Sequence, residues 1–145
     1  MTIPEIIDAL KARFGEAIGN AVEFRGQTGV VVSREKLVEV CRFLKIEQAF
    51  DVLSDVCGVD NYGEEPRFGV DYLLYSMRDR QWLRLKVRIP EDDAAVDSLC
   101  KVWKSANWME REAWDMYGIK FRGHPNLKRI LMWEGYPYHP LRKDF

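Results

Sequence analysis

Four charged side chains fall within one six-residue window at Glu110, Arg111, Glu112 and Asp115, beside Trp114 and Tyr117. His124 and the Lys128-Arg129 pair follow at short range. Lone Glu and Asp side chains are seldom fully buried without partners, so a cluster among aromatics implies either chemistry or a network. On a helix, Glu112 and Asp115 lie three apart and share a face, with Glu110 elsewhere. Paired carboxylates can move protons, and with His124 they would make a small acid/base site in a stand-alone hydrolase or isomerase. They can equally form an ion-pair network with Arg111, Arg122 or Arg129. No nucleophile or electrophilic group stands nearby, so the expected role is a network that fixes a C-terminal arm to the helix.

Metal and cofactor chemistry find little support. His124 and His139 are the two histidines, each next to a proline, and Cys41, Cys57 and Cys100 form no CxxC pair. A zinc site wants three or four ligands at recognisable spacing, and an iron–sulfur cluster about four thiolates. There is no GxGxxG opening a helix, no GxxxxGK[ST] and no GxSxG elbow. No cofactor is expected in this chain, and the three thiols read as packing groups that Ala could replace singly.

The elements that must position these residues follow from periodicity. Ile3, Ile6, Ile7, Leu10 and Phe14 predict an amphipathic helix, with Thr2 and Glu5 at capping-box spacing. Segments 21–24 and 28–32 are strand candidates. Ser33 is expected to cap a second helix that buries Leu37, Val40, Cys41 and Leu44. Segment 50–59 reads as a strand. Segments 68–77 and 82–89 form the clearest strand pair: Leu83, Leu85, Val87 and Ile89 alternate with Trp82, Arg84, Lys86 and Arg88. That leaves one apolar and one basic face, solvated or turned to a partner. A helix is expected from about Asp92, burying Val96, Leu99, Cys100 and Trp103, with a break at 105–107 before the acidic helix. These elements predict an α/β (α+β) domain over 1–117.

Residues 118–145 are punctuated by glycine and proline yet rich in aromatics. A disordered tail is poor in aromatics, so this is an ordered, irregular arm packing on the domain and on a partner. Trp133, Tyr136, Tyr138, Arg142, Asp144 and Phe145 are its candidate partner contacts. Truncation after Met132 is therefore expected to leave a folded domain with a nearly unchanged melting temperature.

At 145 residues and 47% hydrophobic content, the chain can bury a core without staples. A net charge of -1 excludes general nucleic-acid binding. No apolar run reaches the roughly 20 residues of a membrane span, and no secretory leader is seen. The sequence reads as cytosolic and soluble, with membrane association only through partners.

The 110–131 block, ERE, two residues, an acid, two apolar residues, six residues, His, then a basic residue and an apolar pair, resembles the signature of the thirty-kilodalton subunit (the C subunit) of proton-pumping NADH:quinone oxidoreductase (respiratory complex I). Pro140 to Phe145 is similar to that family's PLRKDF element, as are Gly118 to Phe121 and His124 to Leu127. The resemblance implies a mixed sheet of about four to five strands flanked by helices. It also implies a cofactor-free subunit of the peripheral arm beside the large quinone-site subunit. Flavin and iron–sulfur clusters would lie in partner subunits, and the complex would attach to the cytoplasmic side of the cell membrane. Many members continue past this element with a tail that wraps the neighbouring subunit, whereas the present sequence stops there. Relatives using ferredoxin, reduced deazaflavin or hydrogen as donor share the signature, so the electron donor stays open.

Overall fold

The computed structural model describes residues 2–133, 136 and 138–144. Helix α1 (Ile3–Phe14) opens with the expected reciprocal cap: Thr2 Oγ1 accepts the Glu5 amide while the Glu5 carboxylate accepts the Thr2 amide. Strands β1 (Ile18–Phe24) and β2 (Gln27–Val32) form an antiparallel hairpin. Its turn residues Arg25 and Gly26 both have positive φ, as a tight two-residue hairpin requires. Helix α2 (Leu37–Glu47) buries Leu37, Val40, Cys41, Phe43 and Leu44. Ser33 does not cap it. Its hydroxyl donates to Glu35 at 2.5 Å, and a 3-10 turn, Arg34–Lys36, intervenes.

Strands β3 (Val52–Asp60), β4 (Phe68–Ser76) and β5 (Gln81–Ile89) complete a mixed sheet in the order β1-β2-β5-β4-β3. The β2–β5 pair is parallel and the other neighbours are antiparallel. Leu83, Leu85, Val87 and Ile89 are buried, as are Phe68, Val70, Tyr72 and Leu74 opposite them. This face joins α1, α2 and Leu99, Val102 and Trp103 in one apolar core. The fold is α+β, with a five-stranded mixed sheet.

The helix expected from Asp92 is absent. After a 3-10 turn at Glu91–Asp93, the chain forms β6 (Ala95–Asp97), parallel to β7 (Lys120–Arg122). The carbonyls that a helix would use internally are taken by distant donors. Arg34 donates to Asp93 and Ala95 carbonyls at 2.7 and 3.0 Å, and the Lys120 amide to that of Ala94 at 2.8 Å. Helix α3 (Ala106–Tyr117) starts where a break was expected, and the Ser105 hydroxyl instead donates to the Leu53 carbonyl. Among the described residues no helix is long and apolar enough to cross a membrane.

Candidate functional site

Helix α3 carries two carboxylates with no exposed surface, Glu110 and Asp115. They are five residues apart, about 140° around the helix, so they serve different neighbourhoods. Asp115 organises the start of the arm. One carboxylate oxygen accepts the amides of Ile130, Leu131 and Met132 at 3.2, 2.7 and 2.9 Å, and the other accepts Arg129 Nε. Burial pushes this carboxyl upward, but Arg129 and the three amides outweigh it and hold it below its ordinary value. Arg129 also donates to the carbonyls of Asp115, Tyr136 and Tyr138 and lies over the Tyr136 ring. Arg111 reaches the carbonyls of Lys128 and Arg129.

The arm then returns to finish the helix. An α-helix leaves its last carbonyls without internal partners. Here the Asp115 carbonyl takes His139 Nδ1 at 3.0 Å, the Met116 carbonyl takes the Leu141 amide at 3.0 Å, and the Tyr117 carbonyl takes Arg142 Nε at 2.6 Å. The Arg142 cation at this end also suits the helix dipole. Gly118 makes the close approach possible. Its φ is +79°, and a Cβ there would stand 2.6 Å from Arg142 and 2.8 Å from the His139 ring. Gly118→Ala should cost roughly 1–2 kcal/mol from the left-handed backbone alone, and more as the arm is displaced. Limited proteolysis near residue 139 should accelerate. Unchanged cutting with an unchanged melting temperature would contradict this packing.

Glu110 faces the other way. Its oxygens accept the Leu99 amide at 2.8 Å and the Ser98 hydroxyl at 2.6 Å, with Cys100 Sγ at 3.4 Å. Donor atoms of Cys100, Glu110 and His124 all lie within 4.8 Å of one another, a set that suits zinc by composition. The tautomer argues against it. The Asn126 amide donates to His124 Nδ1 at 2.9 Å, which leaves the ring proton on Nε2, facing the Asn107 carbonyl at 3.1 Å. Ligation through either nitrogen would break one of these bonds. The Cys100 thiol is pushed up to about 11 chiefly by burial.

Burial also raises the Glu110 carboxyl above 4.5, against the Leu99 amide, Ser98, Cys100 and His124. A raised carboxyl favours the fold most below its ordinary value and loses that contribution as pH rises through the folded value. Glu110→Gln, uncharged throughout, should flatten the fall in stability as pH rises above the ordinary carboxyl value and be at least as stable as the parent at the upper end. Urea melts across this range check it; an unaltered slope would mean that Glu110 does not titrate there.

Both buried carboxylates, His124 and the arm fall inside a match, over residues 30–145, to the family described as "Respiratory-chain NADH dehydrogenase, 30 Kd subunit". The chain belongs to this family. Relatives include the second of the numbered C subunits of NADH-quinone oxidoreductase from Rhizobium meliloti (strain 1021), 49% identical over 98% of this chain and 79% of that protein. The corresponding C subunit of Geobacter sulfurreducens is 47% identical over 94% of this chain and 85% of its own length. Among solved structures, the trypsin-resistant fragment of Nqo5 superposes with a TM-score of 0.78 at 29% identity, covering 88% of this chain and all of that one. A chain of the membrane-bound sulfane sulfur reductase, an archaeal respiratory membrane complex, shares the fold at a TM-score of 0.83 and 22% identity, over 98% of this chain and 84% of that one.

This member of the family does not assemble the acid/base trio. Glu112 is exposed and lines a groove of about 270 Å³ with Asp55, Cys57, Tyr117 and Leu141. Asp115 is saturated by the arm, and His124 sits with Glu110 and Cys100. The pairing of Glu112 with Asp115 is thus corrected: the buried carboxylates are Glu110 and Asp115, each in its own neighbourhood, because helix spacing reports angle but not which side is covered. Lys128 is exposed and contributes its carbonyl. Cys41 is buried as expected and Cys100 partly so, whereas Cys57 is exposed, its thiol bonded to Asp55 at 2.9 Å and raised to about 11 by burial and that carboxylate.

The arm's candidate contacts divide into two groups. Trp133 and Tyr138 are 64% and 60% exposed, and Tyr136 lies between them with edge-on ring contacts at 5.4 and 5.6 Å. Arg142 and Asp144 are instead bound to their own domain, and Phe145 lies outside the described residues. Asp144 pairs with Arg67 at 2.9 Å. Arg67 also holds the buried Asp60 through two bonds, at 2.9 and 3.0 Å, and Glu91 at 2.6 Å. Asp60 accepts the Lys143 amide at 2.7 Å. Sequence reasoning missed this clamp. Its one local signal was that Asp60 and Arg67 flank a turn-rich loop.

Proposed function

We propose that this protein is a cofactor-free supporting member of the peripheral arm of NADH:quinone oxidoreductase. It docks beside the large quinone-site subunit, on the cytoplasmic side of the membrane, and steadies the path of electrons from NADH to quinone. Flavin and iron–sulfur clusters reside in its partners. The observation that carries this reading is the split within the arm. Arg129, Asp115 and the helix carbonyls are satisfied internally, yet Leu131, Trp133, Tyr138 and Leu141 stay more than half exposed. Aromatics are among the usual anchors of a protein interface. NADH as donor is supported by the names of relatives at 49% and 47% identity.

The test is recovery of the tagged full-length protein from detergent-solubilised membranes. Flavin, iron–sulfur and NADH:quinone activity should arrive with it, and none should belong to the purified chain, which should be colourless between about 380 and 450 nm. Recovery with a hydrogenase or ferredoxin-linked set would change the donor. Catalysis by the single chain, lost in Glu112→Gln, would replace the reading altogether.

A further inference from the structure

The face of the sheet turned away from the helices is uncovered among the described residues, and strand register orders what it displays. One rung across the sheet is Val22, Gly29, Arg84, Leu73 and Asp55. The next is Val31, Lys86, Asp71 and Cys57, and the next Arg88, Gly69 and Val59. At the opposite end Trp82 stands across from Tyr75, ring centroids 4.5 Å apart, and Phe24 lies at the sheet edge under the Arg25 guanidinium. Phe24, Val22 and Trp82 are 69%, 60% and 39% exposed. The face is apolar at one end and cationic at the other.

The cations outnumber the carboxylate among them: Asp71, opposite Lys86 in register, interacts with Lys86, Arg84 and Arg88. Arg84 is partly engaged, with Asp71 at 3.7 Å and Gln27 at 3.4 Å. Lys86 and Arg88 have no carboxylate within ion-pair distance among the described residues. Beside this face, the outer edge of β1 has no strand partner among the described residues, so its backbone groups are open to pairing.

We infer that this open face is a second protein interface, taking an extended segment of a neighbouring subunit that has an apolar side chain near Phe24 and Trp82 and carboxylates near Lys86 and Arg88. The inference rests on the chain being a subunit, as proposed above. The distance from Trp82 to Arg88 is about 20 Å at strand rise, the reach of six or seven extended residues. A sheet face suits a protein segment better than a lipid surface, because Trp82 lies against the Tyr75 ring at a tilt of 42° and is not free to insert.

The experiment places a photo-crosslinking benzophenone amino acid at position 82 of the full-length tagged chain, within membranes that hold the whole complex. Irradiation should join it to an Asp- or Glu-bearing peptide of another subunit, read by mass spectrometry. The double variant Lys86→Glu, Arg88→Glu should lower that adduct at least about tenfold at physiological salt, and salt of about 1 M should weaken it in the parent. The parent must recover the complex under the same conditions. If it does so and the adduct is a lipid, a second copy of this chain, a segment without carboxylates, or nothing, the interface is overturned while the subunit reading stands. If the parent recovers no other subunits, both fall.

Discussion

Asp115→Ala should destabilise the protein by about 3–5 kcal/mol, the largest effect expected of a single substitution here, because removing one member of a buried ion pair strands the other. Arg129 would lose its carboxylate while remaining buried, and the amides of Ile130, Leu131 and Met132 would lose their shared acceptor. Asp115→Asn keeps one acceptor oxygen and should fall between. The native carboxyl is held below its ordinary value of 3.8, so its contribution is complete above that value and fades only as pH drops through the lower folded one. Chemical denaturation at neutral pH and near pH 3 separates the two. The gap between parent and Asn variant should narrow in acid; a gap of equal size would mean that the charge is not what stabilises the arm.

Truncation after Met132 is the second large effect, and here the structure reverses the expectation from sequence. The arm's glycines, prolines and aromatics suggested that the part from about Trp133 docks mainly on a partner, so that its removal would leave a folded domain unable to join the complex. Instead, the deleted residues supply His139, Leu141 and Arg142 to the end of α3, and Lys143 and Asp144 to the Asp60–Arg67 clamp. A buried polar group left without its partner costs about 1–3 kcal/mol, and several are stranded at once. A loss of at least about 3 kcal/mol is expected, seen as a lower denaturant midpoint. A truncated protein with the parent's midpoint would show that the arm is held by something other than this domain.

The two outcomes bear on what a sequence can disclose. Alternation in β5 was readable because burial on one face imposes a period of two on residue type. The first helix was readable because Thr2 and Glu5 act locally. The segment after Pro90 misled because Val96, Leu99, Cys100 and Trp103 fit a helical period while Arg34, Lys120 and Arg122 claim the backbone there from elsewhere. For the same reason the signature block announced a network but not its wiring. Glu112 and Asp115 share a helix face, yet only Asp115 is hydrogen-bonded to the arm, and nothing local near Asp60 or Arg67 points to Lys143 and Asp144.

The clamp closes contacts between residues 83 and 77 positions apart. Contacts of such long reach incur loop-closure entropy before they return any stability, so they form late in folding. Substitutions at Asp144 should therefore leave the refolding limb of a chevron almost untouched and speed escape from the native state. In this molecule the arm acts as a latch on lifetime: it sets how long the finished fold persists, with little say in how fast it is reached.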